Sequence, residues 1–133
     1  MLARCIDAPA LRARLRAATQ DDHHSLDEAL GRLDLADRGE YACFLRVQLQ
    51  ARRGVEQWLA SVCPPEWLPP SQDALLESDL SALGHESGEA HAAFAFDDEG
   101  PVAWLGAAWV LAGSSLGNTM MERDLSARAP ADW

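Results

Sequence analysis

His23 is the first residue of this chain whose type and setting point to chemistry. At helical spacing it shares a face with Leu15, Leu26 and Leu30, so its imidazole is expected to point toward a core. Asp27 stands one turn further on, within reach of the ring. An Nδ1–H donated to a carboxylate fixes the tautomer and leaves the Nε2 lone pair free for a metal. The same spacing equally describes a core histidine satisfied by Asp27 that binds nothing. His24 falls on the neighbouring face and reads as surface.

The second feature is the run from Pro101 to Glu122, which carries Gly106, Gly113 and Gly117 inside one predicted helix. Each interior glycine costs about 1 kcal/mol relative to alanine, so something should offset roughly 3 kcal/mol. Missing side chains let a flat body or another helix approach the backbone, and glycines permit a kink that exposes amides. Ser114 and Ser115 place hydroxyls beside that gap. Close helix–helix packing through the Gly-xxx-Gly spacing explains the same residues as well as a ligand does.

The elements that must position these residues are all helical. A first stripe recurs from about Pro9 to Leu33, through Leu11, Leu15, Ala18, His23, Leu26, Leu30 and Leu33, with Asp7 as a start signal and Gly31 or Gly39 as a stop. A second helix carries Tyr41, Phe44, Leu45, Gln48, Val55, Trp58, Leu59 and Val62 on one face. It opens on Asp37-Arg-Gly-Glu40, which reads as a capping box. The proline-rich turn at 63–72 must break it. A third helix after Ser71 turns Leu75, Leu76, Leu80 and Leu83 inward and ends near Gly84. Residues 85–100 form a loop in which Ala92 to Phe96 dock onto the body. The last helix starts at Pro101, a favoured first-turn residue, and runs to about Leu125, with 126–133 as a tail. Nothing alternates as a strand would, so the fold class is all-α: one domain of 133 residues with 1–8 as an N-terminal extension.

Composition narrows the function. Apolar residues at 48 % and charged residues at 24 % are those of an ordinary globular chain with one real core. A formal charge of −10 with 11 basic residues argues against nucleic acid, which such a surface would repel. Arg12, Arg14 and Arg16 gather near the start and Arg46, Arg52 and Arg53 in the second helix, enough to serve a small dianion. Cys5, Cys43 and Cys63 form no CxxC pair, which suggests neither a disulfide framework nor a thiolate zinc site. The first residues lack the apolar core of a signal peptide and no apolar run approaches a membrane span, so no membrane partner and a cytoplasmic setting are expected.

Leu15-Arg-Ala-Ala-Thr19-Gln-Asp-Asp-His23-His-Ser-Leu26-Asp27 resembles the start of the biliverdin-producing haem oxygenases, above all the bacterial ones found with bacteriophytochromes. The first helix of that family reads Leu-basic-x-Ala-Thr and then the proximal histidine four residues after the threonine, which here selects His23 over His24. Trp109-Val-Leu-Ala-Gly113-Ser-Ser-Leu-Gly117-Asn118 looks like the family's distal helix, where a Gly-Ser-x-Leu-Gly-Gly run crosses the opposite haem face. The intervening helix, the proline-rich turn and Asp79-Leu80-Ser-Ala-Leu83-Gly84 also fit in order and spacing. The likeness covers nearly the whole chain from Leu11 to Leu125.

The resemblance implies a haem oxygenase-like helical bundle. His23 would be the axial iron ligand and Asp27 its hydrogen-bond partner. Arg16 would pair with a haem propionate, as a guanidinium suits a carboxylate. Thr19 belongs to the same haem-binding run. Gly113 and Gly117 would leave room for dioxygen, and Ser114 would help organise water beside it. The implied reaction uses O2 and an external reductant, protein or small molecule, to convert haem to biliverdin, carbon monoxide and ferrous iron. Haem is then cofactor and substrate together. A bacteriophytochrome is the implied acceptor of biliverdin.

Two departures accompany the likeness. Asn118 stands where the family usually has a second glycine, placing a side chain close to the distal pocket. The sequence also ends at Trp133, shortly after the distal helix, where relatives continue with helices that close the bundle. An open apolar face of Trp104, Leu105, Val110, Leu111 and Met121 is therefore expected, to be covered by a second copy in a homodimer. Besides the oxygenase, two other readings fit: a non-catalytic haem carrier or sensor, and a degenerate helical interaction domain without haem.

Overall fold

A computed structural model of the chain describes residues 8–88, 94 and 100–128. The described residues are helical and contain no strand, in keeping with the all-α expectation. The chain divides into two compact units, the first ending at Leu33 and the second beginning at Asp34.

The first unit is built on α1 (Ala8–Leu30). The helix closes where Gly31 N donates to Asp27 O at 2.8 Å and Leu33 N to Leu30 O at 3.0 Å, so the expected extension to Leu33 is a turn rather than helix. Asp7, the expected start signal, lies outside the described residues. The leucine stripe does not face a core. Leu11, Leu15 and Leu26 are all exposed, Leu15 at 57 %.

The second unit holds three further helices. Helix α2 (Arg38–Val62) starts where the Asp37 side chain accepts from Glu40 N at 3.0 Å, which is one half of the expected capping box. The other half differs. Glu40 Oε2 accepts from Asp34 N at 2.5 Å, tying down the incoming turn instead of the cap residue's own amide. Cys63-Pro64 ends the helix, and a short 3-10 turn (Pro65–Trp67) occupies the proline-rich segment.

Helix α3 (Asp73–Ala82) ends in a Schellman arrangement: Gly84 adopts φ 78°, its N–H reaches Ser81 O, and His85 N reaches Leu80 O, both at 2.9 Å. Only glycine takes that φ without penalty, which is why the helix stops there. Leu76 and Leu80 are buried as expected, but Leu75 is exposed and Leu83 half-buried, because a short helix on one neighbour buries only one narrow stripe. Helix α4 (Pro101–Arg128) begins on its proline and takes in the first three residues assigned to the tail; 129–133 lie outside the described residues.

The core has two parts. Leu45 and Leu49 of α2 and Leu76 and Leu80 of α3 are buried, Leu80 completely. Further along α2, Trp58, Leu59 and Cys63 cluster with Ala107, Ala108 and Leu111 of α4, and Trp104 packs against that cluster. Phe94 meets Trp58 edge-on with ring centroids 5.9 Å apart, so this one residue of the expected 92–96 segment does dock. Its neighbours in that segment lie outside the described residues.

Candidate functional site

His23 sits on the exposed surface of α1, not on a core-facing stripe. Its Nδ1 lies 2.7 Å from the backbone carbonyl of Thr19, one turn back. Thr19 Oγ1 makes the equivalent bond to Leu15 O at 3.1 Å. Asp27 therefore does not hold the imidazole; a main-chain acceptor does. The chemical consequence is the one the carboxylate was expected to supply. A carbonyl only accepts, so Nδ1 carries a proton, and in the neutral imidazole the lone pair is then on Nε2. Arg16 and Asp27 are exposed on the same helix, and exposed His24 lies 3.7 Å from Glu28.

The glycines of α4 all lie on one side of the helix. At 100° per residue, Gly106, Gly113 and Gly117 fall within a narrow arc shared with Val102, Trp109, Val110 and Met120. Every one of these residues is exposed, Trp109 at 76 % and Val102 at 85 %. A Cβ built on any of the three glycines would meet no heavy atom within 4 Å beyond its own helix backbone and chain neighbours. Close helix packing therefore does not account for these glycines among the described residues. They leave gaps between the exposed apolar side chains of that side.

Ser114 and Asn118, expected near a distal pocket, are half-buried and bonded to side chains outside α4. Ser114 Oγ accepts from Arg52 Nη1 at 2.5 Å and donates to Leu111 O at 2.9 Å. Asn118 Nδ2 donates to Gln72 Oε1 at 3.5 Å, while Gln72 Nε2 donates to Ser115 Oγ at 2.9 Å. Arg52 is itself only 4 % exposed and bonds Glu56 through Nε at 3.0 Å. Glu56 in turn accepts from Ser71 Oγ at 2.5 Å. The helix rotation gives the reason: Ser114 lies about 60–100° around the axis from Gly113 and Gly117, Asn118 about 100–140° and Ser115 about half a turn. Of the expected open face, Leu105 and Val110 are exposed. Leu111 is buried and Trp104 half-buried, both in the cluster with α2, and Met121 is half-buried.

Arg52, Glu56 and Gln72 were not singled out as a unit by sequence reasoning. The available signal was a charged pair one turn apart, falling in step with Leu45, Leu49 and Leu59 on the buried face of α2. Nor do the arginines of α2 form a dianion cradle. Arg52 pairs with Glu56, Arg53 bonds Asp73 at 3.3 Å and also Glu77, and Arg46 Nη2 donates to His85 Nδ1 at 3.1 Å. Burial, with the nearby Glu56 carboxylate, raises the Asp73 carboxyl above its ordinary 3.8 even though Arg53 pulls the other way. Burial likewise raises the Cys63 thiol, with Glu66 adding to it, so this cysteine is a packing group and a poor nucleophile.

Among the described residues no group of three or more His, Cys, Asp or Glu side chains is placed to hold a metal ion, and no helix is long and apolar enough to cross a membrane. No family model matches the chain, and no curated protein or solved structure shows significant similarity to it.

Proposed function

We propose that the chain is a haem oxygenase of the biliverdin-producing type, with His23 as the iron ligand and the Gly113–Gly117 side of α4 as the surface on which the macrocycle lies. The observation that carries this reading is the set of bare glycines: three helix-weakening residues on one exposed side, with nothing packed against them among the described residues. A rigid flat ligand gives such residues a use that packing does not. The tautomer of His23 supports the same reading, because Nε2 is the free nitrogen. Porphyrin supplies four of the iron's ligands, so a single protein nitrogen suffices. Arg16 would pair with a propionate, and O2 with electrons from an external reductant would convert haem to biliverdin, carbon monoxide and ferrous iron. A bacteriophytochrome would be the recipient of the biliverdin.

A second reading, a haem carrier or sensor without turnover, is favoured by one observation. Ser114 and Asn118 turn away from the glycine strip, leaving that strip without the polar side chains that would organise water. Titration with haemin, followed by ascorbate in air, separates the two. The oxygenase gives one-to-one binding with a histidine-ligated Soret band that is lost in His23→Ala, then decays as biliverdin absorption grows. Stable ligation without decay assigns the carrier. Absence of saturable binding, or binding indifferent to His23→Ala, refutes both.

A further inference from the structure

Helix α4 is apolar on both sides. Toward α2 it turns Ala107, Ala108 and Leu111, which are buried with Trp58 and Leu59. Val102, Leu105 and Trp109 fall within about 60° of one another on the far side, at 100° per residue. Such a helix carries no hydrophobic pattern that says which side must meet α2. Shape does not say it either. Five of the six residues between Leu111 and Asn118 are Ala112, Gly113, Ser114, Ser115 and Gly117, too small to fix a rotation by interdigitation.

Over that stretch the contacts with the rest of the unit are polar and directional. Glu56 accepts from Arg52 Nε at 3.0 Å and from the Gln72 main-chain N–H at 3.3 Å, joining α2 to the turn before α3. Arg52 Nη1 then reaches Ser114, and the Gln72 amide spans one turn of α4 between Ser115 and Asn118. Trp104, Ala108, Leu111, Ser115 and Asn118 follow one another at alternating steps of four and three, the seam of two packed helices. The polar contacts thus continue the same stripe as the apolar cluster. We propose that this ring of side chains is a register lock: it decides which side of α4 faces α2 and α3, while the apolar cluster supplies stability without that choice. Any other rotation leaves Arg52 Nη1, in a side chain only 4 % exposed, without its acceptor, and leaves the Gln72 amide unpaired. The lock uses neither haem nor His23, so it stands or falls apart from the haem reading.

The test follows the indole N–H signals of the ligand-free full chain by NMR. Trp104 near the seam and Trp109 on the far side each report the rotation of α4, and in the parent chain each gives one signal. Ser114→Ala/Gln72→Met/Asn118→Leu removes the contacts of the lock on α4 and keeps the Arg52–Glu56 pair. This variant is expected to stay helical by circular dichroism while Trp104 and Trp109 each split in two, the second form making up roughly a tenth of the molecules or more. In that second form Trp109 gives nuclear Overhauser contacts to Trp58. Leu111→Ala is the counterpart, expected to lower the melting temperature through its cavity and to keep single signals. Single signals in the triple variant, splitting without the Trp109–Trp58 contact, or equal splitting in Leu111→Ala each overturn the lock and leave the rotation to the apolar cluster. Should the triple variant not fold, Gln72→Met/Asn118→Leu, in which Arg52 keeps Ser114, replaces it: the same splitting supports the lock and single signals overturn it.

Discussion

Helix α4 presents two sides that obey different rules. Toward α2 and α3 it carries Ala107, Ala108 and Leu111 in a close-packed cluster, followed by Ser114, Ser115 and Asn118 bonded to Arg52 and Gln72. Away from them it carries Gly106, Gly113 and Gly117 among Trp109, Val110 and Met120, all exposed. The first side is satisfied: each polar hydroxyl there has a named partner. Between Val102 and Met120 the second side is apolar and, among the described residues, uncovered; its polar groups begin at the Asp124–Arg128 ion pair. A helix that needed only to pack would have little reason for glycines on its outer side. The difference teaches that, on the proposed reading, stability and ligand binding divide between two sides of one helix and should respond to substitution with opposite signs.

The comparison can be broken most forcefully at Arg52. Replacing it with alanine leaves Glu56 buried without its cation and Ser114 without its donor, and should lower unfolding stability by about 3–5 kcal/mol in denaturant titration. Arg52→Met/Glu56→Leu should recover most of that loss, because an apolar pair needs no charge compensation. Leu111→Ala, on the same side, should cost about 2–5 kcal/mol by opening a cavity among Trp58, Leu59 and Ala108. On the bare side the sign reverses. Gly113→Ala and Gly117→Ala should each raise the thermal stability of the ligand-free chain by about 0.5–1 kcal/mol, since a methyl there meets only open space. The same methyls should weaken haemin binding in an optical titration; unchanged affinity would remove the glycine strip from the site.

The smallest effect concerns pH. Asp73 holds its proton more tightly in the folded chain than in the unfolded one, so the native state binds the extra proton. Stability from this group is therefore gained as pH falls from neutral toward the ordinary carboxylate range and lost as pH rises again. Comparing the parent chain with Asp73→Asn by urea titration should show the difference moving in favour of the parent chain on acidification. A difference that moved the other way would mean that Arg53, not burial, governs the group.

Much of the local structure was legible because it depends on neighbours in sequence. The proline-rich turn, the Asp37 cap of α2, the stop at Gly84 and the start of α4 at Pro101 each rest on backbone chemistry that one or two residues decide. Orientation was less legible. The leucine stripe of α1 and His23 within it have the spacing of a buried face, yet they are exposed, since periodicity marks a stripe without saying what covers it. Ser114 follows Gly113 directly in the chain and was placed with it in one pocket, but a step of 100° was enough to hand it to Arg52.

The sequence by itself determined the proline-rich break after α2, the Asp37 cap, the stop at Gly84 and the start of α4 at Pro101, and that three glycines burden one helix. Those are properties of local backbone energy and of composition. Only the tertiary structure decided which side of α4 is buried, that a buried Arg52–Glu56 pair and Gln72 hold its serines, and that Thr19 rather than Asp27 fixes the His23 tautomer. Each depends on how far the helices rotate about their own axes and on which acceptor lies nearest. The long-range packing that sets those rotations leaves only a diffuse trace in any one stretch of residues.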